Sequence, residues 1–108
     1  MKLKVALIGC GRVVELRHLP VLRQLPDADV VAVADVDQRR LCTIADRFGV
    51  KERYTTAAEL LERCDADVVG VCVPCRFHAD VALAALAAGR HVLIEKPLAL
   101  TLPEADRI

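Results

Sequence analysis

The sequence predicts an α/β fold, in which a doubly wound parallel sheet is covered by helices on both faces. Three observations support this prediction: strand-like and helical segments alternate, the connections between them are short, and the strand segments are continuously apolar. Alternation with short connections implies parallel pairing through right-handed crossovers. Continuous apolar strands are typical of a sheet that is buried on both faces. The 108 residues, 55% of them apolar, suit one domain with one core.

Ten segments alternate along the chain. The predicted strands cover residues 3–8, 30–34, 51–54, 68–73 and 91–95, and the predicted helices cover residues 12–25, 41–48, 56–64, 77–88 and 101–108. In the first helix, Pro20 predicts a kink or a restart, because proline removes one backbone hydrogen bond. The second helix has the cleanest apolar period, and Gly49 is placed to cap its end. The third strand is short and weakly patterned.

The later segments carry clear boundary signals. The third and fifth helices each open with a capping box, formed by Thr56 with Glu59 and by Thr101 with Glu104. Pro74 marks the exit of the fourth strand, since proline cannot donate a hydrogen bond to a sheet. These signals make the alternation of strands and helices consistent to the end of the chain.

Charge and hydropathy exclude several classes of protein. Fifteen basic and fifteen acidic side chains cancel, with no basic stripe, so we expect no nucleic-acid partner. No apolar run approaches the length of a membrane span, and no signal-peptide core follows Met1, so we expect a cytoplasmic protein. His18 and His91 complete no ligand cluster, and we expect no metal site.

The five cysteines are scattered, and we expect them to be small buried side chains in a reducing compartment. Cys72 and Cys75 have the C-x-x-C spacing that redox pairs use. However, Cys72 belongs to an apolar strand, whereas a redox pair is expected at a helix N-terminus with low-pKa thiols. A redox pair therefore stays an alternative only.

A glycine turn joins the first strand to the first helix. It consists of Gly9, Cys10, Gly11, Arg12, Val13 and Val14. The turn approximates the fingerprint G-x-G-x-x-G, in which backbone amides and the helix dipole hold a pyrophosphate. Val14 replaces the third glycine and either pushes the helix outward or packs against small neighbours such as Ala6 or Ala32. A turn that needs glycine only for its shape is the alternative.

Asp35 ends the second strand, where the fingerprint expects an acid that accepts hydrogen bonds from the adenosine ribose. A carboxylate at this place repels a 2′-phosphate and so favours NAD over NADP. Arg12, Arg39 or Arg40 could weaken that preference. Strand, glycine turn, helix, strand and acid occur in the expected order and predict dinucleotide binding.

Glu95 and Lys96 stand side by side at the end of the fifth strand, directly before Pro97. Parallel strands of an open sheet present ligand-binding groups at their carboxyl ends. An amine at this place can protonate a substrate oxygen or hydrogen-bond to it. The alternative is a strand end with two solvated charges.

These segments resemble the N-terminal domain of the glucose-fructose oxidoreductase, inositol dehydrogenase and rhizopine-catabolism family (Gfo/Idh/MocA). The resemblance extends over nearly the whole chain, and the Glu95-Lys96-Pro97 signature is its most specific part. It implies a Rossmann fold and an NAD(P)-dependent oxidoreductase acting on a sugar, a polyol or a related hydroxylated compound. It also implies that Lys96 is catalytic beside the nicotinamide, with Glu95 near the nicotinamide ribose and Pro97 at the cofactor.

In the same family the loop after the fourth strand passes along the cofactor. The resemblance therefore makes Pro74, Cys75 and His78 candidate cofactor contacts. Family members commonly carry asparagine where Cys75 stands, so a hydrogen bond to the ribose is not carried over. The alternative for His78 is a residue at a helix N-terminus that faces solvent.

Proteins of this family continue with a sixth strand and a second domain that supplies most substrate contacts. We therefore expect residues 1–108 to be a truncated NAD(P)-binding Rossmann domain, incomplete at its C-terminus and inactive alone. The strand from His91 to Glu95 would then be an exposed edge that invites self-association. The alternative function is a stand-alone nucleotide-binding or sensing module, or a non-catalytic partner subunit.

Overall fold

The computed structural model describes residues 2–108 and contains one parallel sheet between two layers of helices. The strand order is β3-β2-β1-β4-β5. The strands are β1 Leu3–Ile8, β2 Ala28–Ala34, β3 Glu52–Tyr54, β4 Val68–Val71 and β5 His91–Ile94. Each neighbouring pair is parallel. Because β2 and β3 lie on one side of β1 and β4 and β5 on the other, the sheet is doubly wound, and the predicted fold class is confirmed.

Helical segments connect consecutive strands, and one more follows the last strand. They are a π-helical turn Val14–His18 followed by α1 Leu19–Gln24, then α2 Gln38–Phe48, α3 Ala57–Arg63, a 3₁₀ turn Cys75–Phe77 followed by α4 His78–Ala87, and α5 Leu102–Arg107. In residues 2–108 no helix is long and apolar enough to cross a membrane.

The helix ends follow their predicted signals. The hydroxyl groups of Thr56 and Thr101 each accept a hydrogen bond from the backbone N–H three residues later. Gly49 ends α2 with a φ of 69°, the left-handed conformation that glycine adopts without steric cost. Asp37, which the sequence analysis does not identify, caps the start of α2 by accepting from two backbone N–H groups.

The first helix continues through Pro20, where a kink or a restart was predicted, and changes its hydrogen-bond pattern directly before it. The backbone N–H of Leu19 donates to the carbonyl oxygen of Val14, five residues back, and α1 then begins with Pro20 in its first turn. Proline has no N–H to donate, and the wider turn before it shifts the hydrogen-bond pattern by one residue. The wider turn also places both Val14 and Leu19 in the core, where both are fully buried.

Two apolar clusters fill the space on the two faces of the sheet. Val14 lies in the cluster under α1 and α2. Ala6 and Ala32 lie in the other cluster, under α3 and α4. The expectation that these two alanines accommodate Val14 is therefore wrong, because successive side chains of a strand point to opposite faces. The π-helical turn accommodates Val14 instead.

Two strands end earlier than predicted. The strand β4 ends at Val71 and β5 at Ile94. The backbone N–H of Cys72 still donates to the Ile8 oxygen, and that of Glu95 donates to the Val71 oxygen. The residues after these bonds leave the sheet and form the loops at its carboxyl edge.

Candidate functional site

A cavity of about 560 Å³ opens at the carboxyl ends of β1, β2 and β4. Open α/β sheets bind ligands at this place, where the strand order reverses. The volume lies within the range of roughly 300–1,000 Å³ that small-molecule pockets occupy. The lining combines glycine backbone, a few polar groups and several apolar side chains, among them Gly9, Gly11, Asp35, Val36, Thr55, Pro74, Phe77 and Val81.

The glycine turn forms the floor of this cavity. Gly9 has a φ of +105°, and a Cβ at this position would lie 2.4 Å from the backbone oxygen of Cys72. Gly11 differs, because no described atom outside its immediate neighbours lies within 4 Å of the place a Cβ would take. The helical segment begins at Arg12, so its first-turn N–H groups lack helical partners at this opening. The backbone at Gly11 is thus open to an anionic group.

Cys10 contributes to the turn through its backbone and through its thiol, which donates to the Ala34 oxygen at 3.7 Å. Its side chain is fully buried, and burial, assisted by the charge of Asp35, raises the pKa of this thiol to about 12. Its N–H donates to Asp35 Oδ2 at 2.8 Å, and its carbonyl oxygen accepts from Arg40 Nε at 2.7 Å. The turn is therefore held from both sides.

The Asp35 carboxylate is fixed at the cavity wall. Besides the bond from Cys10, its Oδ1 accepts from the Asp37 N–H at 2.8 Å. Each carboxylate oxygen has two acceptor positions, so two backbone donors leave capacity for a ligand. A carboxylate held in this way suits a ligand with hydroxyl donors and repels a phosphate.

The three arginines that could bind a 2′-phosphate differ in exposure and in hydrogen bonding. Arg40 Nη2 donates to Glu15 at 2.7 Å in addition to its bond to the glycine turn. This bond to Arg40 also lowers the pKa of Glu15. Arg12 and Arg39 are exposed. Arg40 is therefore committed to holding the turn and is a poor candidate for binding a 2′-phosphate.

The loop after β4 is joined to the loop after β5. Pro74 lines the cavity. The thiol of Cys75 donates to the Pro97 oxygen at 3.6 Å. His78 places Nε2 at 2.8 Å from the Val73 oxygen and Nδ1 at 2.7 Å from the Pro97 oxygen.

His78 is 2% exposed, so the interpretation of this residue as solvent-facing is wrong. The 3₁₀ turn Cys75–Phe77 precedes it and directs the first residue of α4 inward. The side chain of His78 does not line the cavity. It bridges the two loops instead, and this role has no local signal in the sequence.

The Glu-Lys-Pro signature lies directly after β5, at the same edge of the sheet. Lys96 is exposed, and the peptide bond between Lys96 and Pro97 is cis. Glu95 Oε1 lies 3.1 Å from Nε2 of His18, which belongs to the π-helical turn. No pattern in the sequence predicts a role for His18. The two residues are 77 positions apart, so only the tertiary structure brings them together.

Two apolar residues at the cavity were also missed. Val36 and Phe77 line it, although they are 84% and 44% exposed. Val36 comes two residues after β2, and Phe77 ends the 3₁₀ turn between β4 and α4. An exposed apolar residue in the segment after a buried parallel strand is the signal that could have identified them. Together with Val81 they form apolar walls at one end of the cavity. Walls of this kind suit a flat apolar group.

The cysteine environment argues against a redox pair. Burial, assisted by the charge of Glu95, raises the pKa of the Cys72 thiol to about 12. Reactive thiols need a lowered pKa, so a thiol of this kind stays protonated and unreactive near neutral pH. Within residues 2–108, no group of three or more His, Cys, Asp or Glu side chains could hold a metal ion.

Comparisons with known proteins agree with this geometry. Residues 3–108 match the model of the oxidoreductase family with an NAD-binding Rossmann fold. Over 98% of its length the chain is 34% identical to the myo-inositol 2-dehydrogenase of Thermotoga maritima, of which it covers 31%.

Two solved structures are similar over nearly the whole chain. An oxidoreductase from Agrobacterium radiobacter, in complex with NAD+, L-tartaric acid and magnesium, superimposes with a TM-score of 0.93 at 30% identity; 98% of this chain matches 31% of that one. A 3-ketoreductase from Actinomadura kijaniata, in complex with NADP and TDP-benzene, gives 0.91 at 39% identity, with coverages of 99% and 33%. The chain thus spans about a third of the length of these proteins.

The two glycines of the turn give a testable contrast. Gly9→Ala should lower the free energy of unfolding by about 3 kcal/mol, because it combines backbone strain with overlap at Cys72. Gly11→Ala should change it by no more than about 0.5 kcal/mol, because its Cβ has space. Urea denaturation of both variants measures the difference. Equal losses in the two variants would contradict the geometry of the turn.

Proposed function

Because the chain belongs to the Gfo/Idh/MocA oxidoreductase family, with its NAD-binding Rossmann fold, we propose that it is the dinucleotide-binding part of a dehydrogenase or reductase. The proposed reaction transfers a hydride between NAD and a sugar, a polyol or a related hydroxylated compound. The observation that carries this proposal is the Asp35 carboxylate, fixed by two backbone N–H groups at the cavity beside the open glycine turn.

Residues 1–108 are proposed to form one dinucleotide-binding domain of a larger enzyme. The relatives are about three times as long as the part that matches. This supports a separate role for this domain within a longer protein. A dehydrogenase must hold its substrate in near-attack geometry against the nicotinamide. We place most substrate contacts outside these 108 residues, and we expect the chain alone to bind the cofactor without turnover.

The adenosine half of the cofactor would occupy the 560 Å³ cavity. The backbone from Gly9 to Val13 would hold the pyrophosphate, because first-turn amides and the helix dipole favour an anion. Asp35 would accept hydrogen bonds from the adenosine ribose. Val36 and Phe77 would contact the faces of the adenine ring, since both are exposed apolar residues at the cavity.

The nicotinamide half would lie toward the Glu95-Lys96-Pro97 turn. When bound, NAD supplies or accepts the hydride. The exposed amine of Lys96 can hold or donate a proton at the substrate oxygen, which makes it the proposed catalytic residue. Glu95 would hydrogen-bond to the nicotinamide ribose.

The loop residues would act in two ways. Pro74 lines the cavity and would contact the cofactor directly, as would Cys75 and Pro97 at the facing loop ends. His78 is buried and bonded to the oxygens of Val73 and Pro97. We therefore propose that it supports the cofactor site by joining its two loops.

The proposed cofactor is NAD in preference to NADP. Asp35 repels a 2′-phosphate, and Arg40 is already bonded to Cys10 and Glu15. The relatives do not decide this preference, since one solved structure contains NAD+ and the other NADP.

We also propose that the chain pairs with a second copy along β5. Within residues 2–108, β5 has a partner strand on one side only, so its backbone groups that face away from β4, between His91 and Glu95, have no strand partner. Leu93 in this strand is 59% exposed and lines a second, apolar cavity of about 380 Å³. An unpaired apolar edge of this kind favours strand pairing between molecules.

Calorimetric titration with NAD and NADP tests the cofactor proposal. The unmodified chain should bind NAD more tightly than NADP. Asp35→Asn, which keeps an acceptor oxygen but removes the charge, should weaken NAD binding about tenfold and abolish the discrimination. Asp29→Asn, at the opposite end of β2, is the matched control and should leave both affinities unchanged. Binding of neither dinucleotide, or tighter binding of NADP, would contradict the proposal.

Sedimentation velocity over a range of concentrations tests self-association. The unmodified chain should form dimers or larger species as its concentration rises. Leu93→Lys should shift the distribution toward monomer, because a charge opposes burial at the strand edge. Leu16→Lys is the control, since Leu16 is equally exposed at 59% but lies in the π-helical turn. A monomer at every concentration would rule out the proposed pairing.

A further inference from the structure

We propose that His18 is a positioning residue for Glu95 and, through it, for the nicotinamide end of the cofactor site. This inference rests on the proposed function. Its direct basis is the 3.1 Å contact between His18 Nε2 and Glu95 Oε1. An N–H that donates to a carboxylate fixes its orientation more strongly than a contact between neutral groups, because the bond is charge-assisted.

The π-helical turn is what allows His18 to reach Glu95. Val14 and Leu19 are five residues apart, and in a regular α-helix this spacing would not place both against the sheet. Both are nevertheless fully buried, because the Leu19 N–H bonds to the Val14 oxygen. His18, immediately before Leu19, is thereby directed across the end of the sheet toward β5. Turns of this type are rare, and they are frequent at functional sites.

The pair lies in a partly dry environment. The side chains of His18 and Glu95 are 22% and 31% exposed. Both line the apolar cavity under the first helix, together with Cys72 and Leu93. The charge of Glu95 also contributes to the raised pKa of Cys72, because this carboxylate lies near the end of β4. Low local polarity strengthens the hydrogen bond from His18.

His18 fixes the side chain of Glu95 and not its backbone. The Glu95 N–H donates to the Val71 oxygen at 3.0 Å, so the sheet itself holds the main chain at this point. Loss of His18 should therefore leave the fold intact. It should release the carboxylate that precedes Lys96. The loss of binding should be confined to the nicotinamide end of the proposed cofactor site.

Two ligands separate positioning from a general structural role. In the proposed function NAD would extend from the 560 Å³ cavity to the Glu95-Lys96-Pro97 turn, whereas ADP carries the adenosine and pyrophosphate without the second ribose or the nicotinamide. His18→Leu should weaken NAD binding about tenfold in calorimetry, the effect of losing one hydrogen bond to a charged group, and leave ADP affinity within about twofold. His18→Gln, whose amide N–H can replace Nε2, should restore most of the NAD affinity. His91→Leu, at the other end of β5, is the matched control and should change neither affinity.

The ligand-free chain gives a second readout. His18→Leu should shift the backbone amide resonances of Glu95 and Lys96 and leave those of Gly9 and Gly11 in place. Equal weakening of NAD and ADP, no weakening of either, or unshifted Glu95 and Lys96 resonances would overturn the role of His18. An unmodified chain that binds neither NAD nor ADP would instead remove the proposed function, and with it the role of His18 toward the cofactor.

Discussion

The structure depends on one close approach, where the glycine turn passes against the end of β4. The N–H of Gly9 donates to the Ala34 oxygen at 2.7 Å, and the N–H of Cys72 donates to the Ile8 oxygen at 2.8 Å. Three strand ends therefore converge at Gly9, with no space for a side chain between the turn and Cys72. This constraint requires glycine at the point where the strand order reverses beside β1 and the cavity opens.

The same convergence organises the polar groups before any ligand arrives. The glycine turn donates to Asp35, and Asp35 also accepts from the N–H of Asp37 at the start of α2. Arg40 of α2 donates to a carbonyl oxygen of the turn. On the other side of the cavity, His78 joins the loops after β4 and β5. A site whose polar groups are already oriented loses less entropy on binding. We regard this preorganisation as the contribution of the domain to the proposed reaction.

Most of the fold could be predicted from the sequence, because its signals are local. Continuous apolar strands, the irregular helix at Pro20, the threonine caps and the glycine after α2 all depend on signals within a few residues, and the structure contains each of them. The site was predictable only in part. The inward turn of His78 and the contact of His18 with Glu95 depend on packing between distant segments, which no local pattern encodes.

The most direct test asks whether the cavity at the strand reversal is the dinucleotide site. It follows the backbone amide resonances of the ¹⁵N-labelled chain during titration with NAD. Saturable shifts should be largest from Gly9 to Val13, at Asp35, and at Cys75 and Lys96 in the two facing loops. Residues at the opposite edge of the sheet, such as Asp29 and Asp67, should be unaffected. Shifts centred on that opposite edge, or no saturable shifts, would contradict the assignment of this cavity as the dinucleotide site.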